Sequence, residues 1–520
     1  MRQQEGIVVY DTTLRDGAQG PGVSFSLEDK LQITVRLAQL GVAYIEGGWP
    51  SSNPKDAEYF RICREMDLGE TRVVAFGSTR RAGQRAEADL SLRGILAAGT
   101  AAGAIVGKSS AFQVREVLGV TLEENLRMIE ESVAFLRREG LQVFFDAEHF
   151  FDGYKEDPDY AFLTLRAAEA GGAAGLVLCD TRGGSLPWEV AKVIVRVRDL
   201  CQAPLGIHAH NDGGLAVANT LVAVRKGVSQ VQGTVNGYGE RCGNANLCAI
   251  IPNLELKQGV RCLPAGKLTQ LASLAHFVSE LANLPADESQ PFVGANAFTH
   301  KAGLHAGAVL KTPVAYEHVD PATVGGQRRV PVSELSGKSN LLYKAREAGL
   351  DLDKDSPSVA RLLDKIKELE NQGYQFEGAE ASFELLARKI LGVHTPLFRA
   401  EEYRVLVERK GGIGVEATVK VRVGRDVFHT AADGNGPVNA LDNALRKALM
   451  DSFPHLSKIR LADYKVRVLE GKDGTGARVR VLIESNDEHG HWNTVGVSTD
   501  IMEASWLALV DSLEYGLGLR

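Results

Sequence analysis

Residues 6 to about 260 alternate between short strand-like and longer helix-like segments, and this alternation limits the possible folds more than any other feature. The predicted strands are Ile7–Tyr10, Ala43–Glu46, Arg72–Phe76, Ala104–Val106, Val143–Phe145, Gly175–Cys179, Leu205–His208 and Val231–Val235. Because βα units cross over right-handedly on a parallel sheet, eight units in about 250 residues predict a closed (β/α)8 TIM barrel. An open doubly wound sheet is the alternative, but no G-x-G-x-x-G motif follows the first predicted strand.

The pattern changes twice after the barrel. From about 265 to 385 it is mainly helical, and from about 390 apolar residues alternate with period two, as in Thr418–Val423. An order of strands followed by a helix then recurs, with helices predicted at Val438–Leu449 and Ile501–Leu513. We therefore predict a barrel at 1–265, helical linker subdomains at 266–388, and a regulatory and dimerisation domain at 389–520. The last is an α+β domain of two β-β-β-α units.

Composition excludes several classes of protein. Hydrophobic residues make up 44% and charged residues 24% of the chain, which is close to the globular average and excludes wholesale disorder. A net charge of −7 argues against nucleic-acid binding, and no apolar run approaches the roughly 18 residues of a membrane span. The six cysteines are scattered, which is typical of reduced thiols in the cytoplasm.

Polar and ionisable residues follow most of the predicted barrel strands. They lie in the segments 11–19, 46–48, 146–149, 180–184, 208–212 and 236–244. Since active sites of such barrels form at the carboxyl ends of the strands, this distribution predicts an active site there.

The sharpest local signal is the pair His208 and His210. Residues i and i+2 of a strand point to the same side, so both imidazoles can bind one metal ion. Asp16 would add a carboxylate oxygen and Asn244 an amide oxygen. This mixed set of nitrogen and oxygen ligands favours a divalent ion, Mg²⁺, Mn²⁺, Co²⁺ or catalytic Zn²⁺.

Two further residues have open interpretations. Arg15 is either a structural ion-pair partner or a fixed cation that polarises a substrate oxygen. Glu148 is either a general base or a partner of Arg15. Asp11, Glu46 and Asp180 can anchor the ring of side chains without contacting substrate.

Three motifs together resemble one superfamily: Asp11–Gly17, His208-x-His210 and Gly239–Asn244. It comprises the metal-dependent acyl-CoA condensing and lyase barrels, which include 2-isopropylmalate, homocitrate and citramalate synthases and hydroxymethylglutaryl-CoA lyase. The C-terminal module resembles the allosteric, dimer-forming domain of the synthases, which argues against a lyase. Residues 47–56, 316–321 and 336–340 look like the citramalate synthase branch, and Ala18 replaces an acidic residue that is usual in 2-isopropylmalate synthases.

The resemblance implies a Claisen-type condensation of acetyl-CoA with a 2-oxo acid and water. In the citramalate branch the 2-oxo acid is pyruvate, the product is (R)-citramalate, and the pathway leads to isoleucine. The alternative is 2-isopropylmalate synthase, which uses 2-oxoisovalerate. A non-catalytic amino-acid sensor is the rival outside enzymes, but it would lack Asp16, His208 or His210, and all three are present.

The resemblance also assigns roles to residues. Asp16, His208 and His210 would bind the metal, with Asn244 adjoining it. Arg15 would stabilise the ketone oxygen as it becomes an alkoxide. Thr181 would hold the keto-acid carboxylate, and Glu148 would serve in proton abstraction. His305 and Tyr316 would reach the site from the linker region of a partner subunit in a homodimer.

The glycine-rich turn at 432–437, before the predicted helix Val438–Leu449, could receive an amino-acid carboxylate on its backbone N–H groups. We therefore expect a branched-chain amino acid, isoleucine, as a feedback ligand of the C-terminal domain.

Overall fold

The computed structural model describes residues 6–301, 303–331, 338–350, 352, 356–409, 413–469 and 474–518. Part of the 336–340 motif lies outside these residues. The described chain forms two compact units, Met1–Phe298 with Val319–Gln327, and Thr299–His318 with Arg328–Arg520. No helix within the described ranges has both the length and the apolar character needed to cross a membrane.

Eight parallel strands close a barrel in sequence order, so that β1 pairs with both β2 and β8. The strands are β1 Val8–Asp11, β2 Tyr44–Gly48, β3 Arg72–Ser78, β4 Ala102–Lys108, β5 Gln142–Glu148, β6 Gly175–Asp180, β7 Leu205–Ala209 and β8 Gln230–Gly233. The predicted TIM barrel is confirmed. Strands β4 and β5 extend further at their carboxyl ends than the sequence pattern predicts.

Helices alternate with these strands and follow them. They are α1 Leu27–Leu40, α2 Pro54–Cys63, α3 Leu90–Ala97, α4 Leu122–Arg138, α5 Phe150–Glu156, α6 Pro158–Ala170, α7 Pro187–Leu200, α8 Ala216–Arg225, α9 Leu247–Pro252 and α10 Leu271–Leu281. Helix α1 shows why local sequence fixes such boundaries. The Ser26 Oγ accepts a hydrogen bond from the Asp29 backbone N–H at 3.1 Å, and the Asp29 carboxylate accepts one from the Ser26 N–H at 2.7 Å. This capping box starts the helix, and Gly41 ends it with a φ of 93°.

The barrel strands are buried on both faces, as a parallel sheet covered by helices requires. Val9, Ala75 and Phe145 belong to the core between strands and helices. The residues next to them in each strand, such as Tyr10, Phe76 and Phe144, face the other side of the sheet and form a separate apolar cluster. Because the helices cover the outer face, this second cluster fills part of the barrel interior.

The second unit contains helices and two small antiparallel sheets. Its helices are α11 Gly303–Lys311, α12 Lys338–Glu347, α13 Pro357–Asn371, α14 Glu380–Leu391, α15 Pro437–Leu449 and α16 Ile501–Gly518. Its strands are β9 Arg399–Arg409, β10 Ile413–Val423, β11 Asp426–Gly434, β12 Arg460–Val468, β13 Val479–Asp487 and β14 Gly490–Ser498.

The duplication predicted from the sequence is present in this unit. One sheet has the order β11-β10-β9 and is followed by α15, and the other has the order β12-β13-β14 and is followed by α16. In β10 the alternate residues Val415, Ala417, Val419 and Val421 are buried. This period of two places one face of each sheet against its helix and confirms the two β-β-β-α units.

Candidate active site

A cavity of about 270 Å³ opens at the carboxyl ends of the barrel strands. Its lining includes residues that follow or end β1, β5, β6 and β7, and its apolar part is formed by Trp49, Phe76 and Val106. The predicted site residues Arg15, Asp16, Glu148, Thr181, His208 and His210 all line it. The strand ends therefore meet in one chamber, as the barrel topology requires.

Three side chains in this cavity form a set that can hold a metal ion. His208 lies on β7, His210 follows it, and Asp16 follows β1. The His208 Nε2 lies 2.9 Å and the His210 Nε2 lies 4.0 Å from the same Asp16 oxygen. All three residues are buried, and their ligand atoms lie within 4.8 Å of one another. Two imidazole nitrogens and a carboxylate oxygen suit a divalent ion.

The electrostatics of two of these residues, Asp16 and His210, favour the protonation states that bind metal. Burial alone would raise the pKa of Asp16, but the Arg15 guanidinium and the His208 and His210 side chains outweigh it and hold that pKa well below its usual range. Burial, together with His208, lowers the pKa of His210 to about 4. At neutral pH, Asp16 is therefore ionised and His210 is neutral, which are the forms that bind metals.

Gln232 on β8 fixes the orientation of one imidazole. Its Oε1 lies 2.9 Å from the His208 Nδ1 and accepts that proton, which leaves the His208 Nε2 free to face Asp16. The Gln232 amide in turn donates to the Asp146 carboxylate at 3.4 Å. A partner on the far nitrogen of a ligating histidine sets its tautomer and ring orientation.

Asn244 is placed beside the histidines by an isolated β-bridge with His210. Its side-chain nitrogen donates to the Tyr238 carbonyl at 3.2 Å. Among the described residues, the buried Asn244 Oδ1 and His210 Nδ1 have no hydrogen-bond partner. A buried polar atom without a partner is costly, so the Asn244 oxygen fits the position of an additional metal ligand.

Arg15 is fixed at the cavity by three contacts. Its Nε donates to Glu46 at 2.5 Å, a terminal nitrogen lies 3.6 Å from Asp16, and the guanidinium carbon lies 4.0 Å from the centre of the Phe76 ring. Glu46 is fully buried and also accepts a hydrogen bond from Tyr10 at 2.7 Å. The guanidinium is thus held in an ion pair and still presented to the cavity.

Glu148 and Thr181 line the cavity from the carboxyl ends of two neighbouring strands, β5 and β6. Glu148 ends β5 and forms an ion pair with Lys108, which ends β4. Thr181 follows β6, and its Oγ1 accepts a hydrogen bond from the His149 backbone N–H at 2.8 Å. Glu148 is therefore paired with a cation that the sequence analysis did not select.

His305 and Tyr316 belong to the second unit. Their ring centroids lie 4.4 Å apart with planes inclined by 30°, and both side chains are exposed. They form a pair of aromatic groups there, whereas the residues that line the barrel cavity all belong to the first unit.

Sequence reasoning missed Lys108 and Gln232, and it gave no role to Asp146 and Arg241, which line the cavity and lie in segments that it singled out. Lys108 falls beyond the predicted end of β4, and Gln232 lies within a strand that was interpreted only as core. Asp146 is buried, and burial with the neighbouring Glu46 raises its pKa to about 7. A signal was available for Gln232 and Asp146, because charged and amide side chains inside an apolar strand need a buried partner.

A TIM barrel with a buried two-histidine, one-aspartate set beside a fixed arginine defines a class: TIM-barrel enzymes whose site can hold a divalent metal ion. Comparison with known proteins narrows this class. Residues 7–278 match the HMGL-like family, residues 292–374 the homocitrate synthase post-HMGL domain-like family, and residues 377–517 the LeuA allosteric (dimerisation) domain.

Similarity to individual proteins extends over nearly the whole chain. The chain is 51% identical to an (R)-citramalate synthase of Geobacter sulfurreducens, over 98% of the chain and 97% of the relative. It is 50% identical to an (R)-citramalate synthase of Aquifex aeolicus, over 99% and 98%. A probable 2-isopropylmalate synthase of Archaeoglobus fulgidus is 29% identical, over 99% and 98%. The chain therefore belongs to the HMGL-like family, and within it to the family of the (R)-citramalate synthases.

Proposed function

We propose that this chain condenses acetyl-CoA with pyruvate and water to give (R)-citramalate and CoA, the first step of the pyruvate route to isoleucine. The observation that carries the proposal is the 51% identity, over nearly the full length of both chains, to an (R)-citramalate synthase. The cavity supports it chemically, because a metal-binding set and a fixed guanidinium lie side by side there.

The metal site would organise the 2-oxo acid. Asp16, His208 and His210 would hold the ion, and Asn244 would contribute its side-chain oxygen. When bound, a divalent ion acts as a Lewis acid towards the keto oxygen of the substrate. The identity of the ion, Mn²⁺, Mg²⁺, Co²⁺ or Zn²⁺, stays open in this proposal.

Arg15 and Thr181 would orient and stabilise the same substrate. Arg15 would stabilise the keto oxygen as it gains negative charge, because its guanidinium is already fixed by Glu46 and needs no reorganisation. Thr181, at the end of β6, would hold the keto-acid carboxylate through its hydroxyl. Its Oγ1 already accepts the His149 N–H, so its own proton is free to be donated.

Glu148 would act as the base. Its carboxylate would take a proton from the acetyl methyl group, and the resulting carbon nucleophile would form the new bond to the keto carbon. Lys108, paired with Glu148, would hold that carboxylate in position. Water would then attack the thioester carbonyl, release the thiol of CoA, and make the reaction irreversible.

The rival substrate is 2-oxoisovalerate, which would make the enzyme a 2-isopropylmalate synthase. Three bulky side chains, Trp49, Phe76 and Val106, form the apolar part of the cavity lining. Such walls favour the methyl group of pyruvate over an isopropyl group. Ala18 also favours the citramalate branch, because 2-isopropylmalate synthases usually carry an acidic residue at this position.

The rest of the proposal concerns the domains, the assembly, the regulation and the location of the protein. We propose the division into a barrel at 1–265, a linker at 266–388 and a regulatory domain at 389–520. In the proposed homodimer, His305 and Tyr316 would complete the site of the partner subunit. Isoleucine would bind the C-terminal domain and inhibit. A cytoplasmic location is supported by the six cysteines, all of which are free thiols.

A thiol-release assay with a panel of 2-oxo acids tests the proposed reaction. Purified protein, supplied in turn with Mn²⁺, Mg²⁺, Co²⁺ or Zn²⁺, should release CoA fastest with pyruvate, and chromatography should identify (R)-citramalate. A higher kcat/KM with 2-oxoisovalerate would replace this proposal by the rival one. No thiol release with any 2-oxo acid would overturn the proposed reaction.

A further inference from the structure

The apolar wall of the active-site cavity is attached to a buried ion pair that lies outside the cavity. Lys30 on α1 and Asp56 on α2 form this pair, and their side chains are only 3% and 10% exposed. A buried ion pair is costly to desolvate and often adds little net stability. The groups that the pair positions are therefore its more informative feature.

The ion pair holds the carboxyl end of strand β2. The Lys30 Nζ donates to the Gly47 carbonyl oxygen at 2.9 Å, and the Asp56 Oδ2 accepts the Trp49 backbone N–H at 2.9 Å. The other Asp56 oxygen accepts from Lys30. Both charged groups therefore bind the backbone of residues 47–49, where β2 ends and the next loop begins.

The glycines of this segment allow the close approach of the groups around it. Gly48 has a φ of 146°, and a Cβ there would lie only 2.4 Å from the Asp56 Cγ. A Cβ at Gly47 would lie 2.2 Å from the Tyr59 ring. Only glycine fits positions where the backbone is approached this closely. The segment 47–56 thus has a structural reason for its two glycines and for the carboxylate at its end.

Trp49 connects this backbone to the cavity. Its side chain belongs to the apolar lining, and its ring centroid lies 5.4 Å from that of Phe76, edge to face with planes inclined by 83°. Among the described residues, the buried Trp49 Nε1 has no hydrogen-bond partner. The indole is therefore positioned by its backbone and by its contact with Phe76, because its own N–H does not fix it.

The same wall lies beside the groups that would hold the substrate. The Arg15 guanidinium carbon lies 4.0 Å from the centre of the Phe76 ring. In the proposed reaction the keto oxygen lies at Arg15 and the carboxylate at Thr181. The third substituent of the keto carbon would then lie against the apolar lining, which includes Trp49.

We propose that the Lys30–Asp56 ion pair sets the size of the 2-oxo-acid pocket, because it fixes Trp49 as the wall that excludes substituents larger than methyl. Lys30 and Asp56 are positioning residues, whereas Trp49 contacts the substrate. The substrate class rests on the condensation proposed above. One methylene more or less in an apolar pocket changes kcat/KM by about 10- to 200-fold, so a single fixed indole is enough to separate pyruvate from its larger homologues.

Substrate ratios test this proposal. Thiol release is measured with pyruvate, 2-oxobutanoate and 2-oxoisovalerate for wild type, Trp49→Leu and Asp56→Asn. In Trp49→Leu, the kcat/KM for each larger acid relative to pyruvate should rise at least about tenfold. In Asp56→Asn the same ratios should rise, because a neutral amide cannot balance the Lys30 charge and the Trp49 backbone is released.

Glu124→Gln is the matched control. Glu124 pairs with the buried Arg80 at 2.9 Å, and both residues lie outside the cavity lining. The control replaces a carboxylate of an ion pair by an amide, as Asp56→Asn does, and should keep the wild-type substrate ratios. If the Lys30–Asp56 pair were only structural, Asp56→Asn would lower the melting temperature and leave the ratios unchanged.

Two results would overturn the proposal: wild-type ratios in Trp49→Leu, or wild-type ratios in folded variants of the ion pair. Thermal melting checks folding. The double variant Lys30→Met with Asp56→Asn removes both charges together, so it leaves no unpaired buried charge and keeps the test decisive if Asp56→Asn fails to fold.

Failure of the proposed reaction is a separate result. It depends on which acid the wild type prefers, whereas the pocket proposal depends on how the ratios differ between wild type and variants. Calorimetric titration of the three acids into protein supplied with Mn²⁺ gives the same ratios as dissociation constants. The pocket is therefore tested even if no thiol is released, and no binding of any acid would overturn it.

Discussion

Three groups hold Arg15 in place: the Glu46 carboxylate, the Phe76 ring and the Asp16 carboxylate of the candidate metal site. Its Nε donates to Glu46, its guanidinium lies over Phe76, and a terminal nitrogen approaches Asp16. Each contact uses the planar, forked shape of the guanidinium. A lysine would keep the charge but not the fork or the stacked plane.

Replacing Arg15 with Lys should therefore lower kcat by about two orders of magnitude or more, because a preorganised donor at a developing oxyanion is typically worth that much. Steady-state thiol release measures the effect. Arg61→Lys, at an exposed ion pair with Glu58, is the matched control and should keep wild-type kcat. Near wild-type kcat in Arg15→Lys would assign Arg15 a structural role only.

The metal set predicts a paired loss of metal and activity. His208→Ala or Asp16→Asn should lower the bound metal strongly and lower kcat by about two orders of magnitude or more, since a Lewis acid contributes several kcal/mol. Elemental analysis of dialysed protein and thiol release provide the two measurements. His455→Ala, an exposed histidine in the other unit, serves as control. Unchanged metal content and activity in both variants would refute the assignment.

Gln232 contributes without contacting the metal position. Its Oε1 accepts the His208 proton, so Gln232→Met should keep the volume but release the imidazole. Loss of such a partner typically lowers metal affinity by about 10- to 100-fold. A titration of metal-free protein with Zn²⁺, alongside thermal melting, measures affinity and stability separately. Unchanged Zn²⁺ affinity would show that the orientation of His208 is fixed by other contacts.

At the scale of elements, the two β-β-β-α units use the same device to pack a strand on a helix. A Cβ at Gly434 of β11 would overlap the backbone of Ala440 in α15, and a Cβ at Gly496 of β14 would overlap the backbone of Ala504 in α16. Glycine at both positions lets a strand approach its helix more closely than a side chain would allow.

Gly496→Val should therefore push β14 away from α16 and destabilise the second β-β-β-α unit by about 1–3 kcal/mol, which is typical of overpacking. Differential scanning calorimetry should show a lower melting temperature. Gly378→Ala is a suitable control, because a Cβ there has no heavy atom within 4 Å. Equal melting temperatures for the two variants would contradict the close approach.

At the scale of the whole molecule, the family of the C-terminal domain predicts end-product control. Saturating isoleucine should raise the apparent KM or lower kcat of the full-length enzyme by about 5- to 150-fold, corresponding to a coupling free energy of about 1–3 kcal/mol. Thiol release with leucine and valine as comparison ligands measures it. Full activity with all three amino acids, and no calorimetric binding, would leave this domain a dimerisation element only.

The sequence alone determined the elements and which face each residue occupies. The eight βα units, the span of α1 and the duplicated module all follow from local periodicity and capping, because these depend on residues close together in the chain. The alternation of side chains along a strand predicted that His208, on β7, and His210, just after it, face the same side. The order of the strands around the barrel then placed Asp16 near them.

Only the tertiary structure decided which groups became partners. The pairing of Arg15 with Glu46, of Glu148 with Lys108 and of His208 with Gln232 depends on how neighbouring strands align at their ends. The packing of α14 on β14 depends on contacts between residues still further apart in the chain, such as the hydrogen bond from the Val495 N–H to Ser382, 113 residues away. No local pattern encodes such pairs, because they are fixed by the packing of several elements at once.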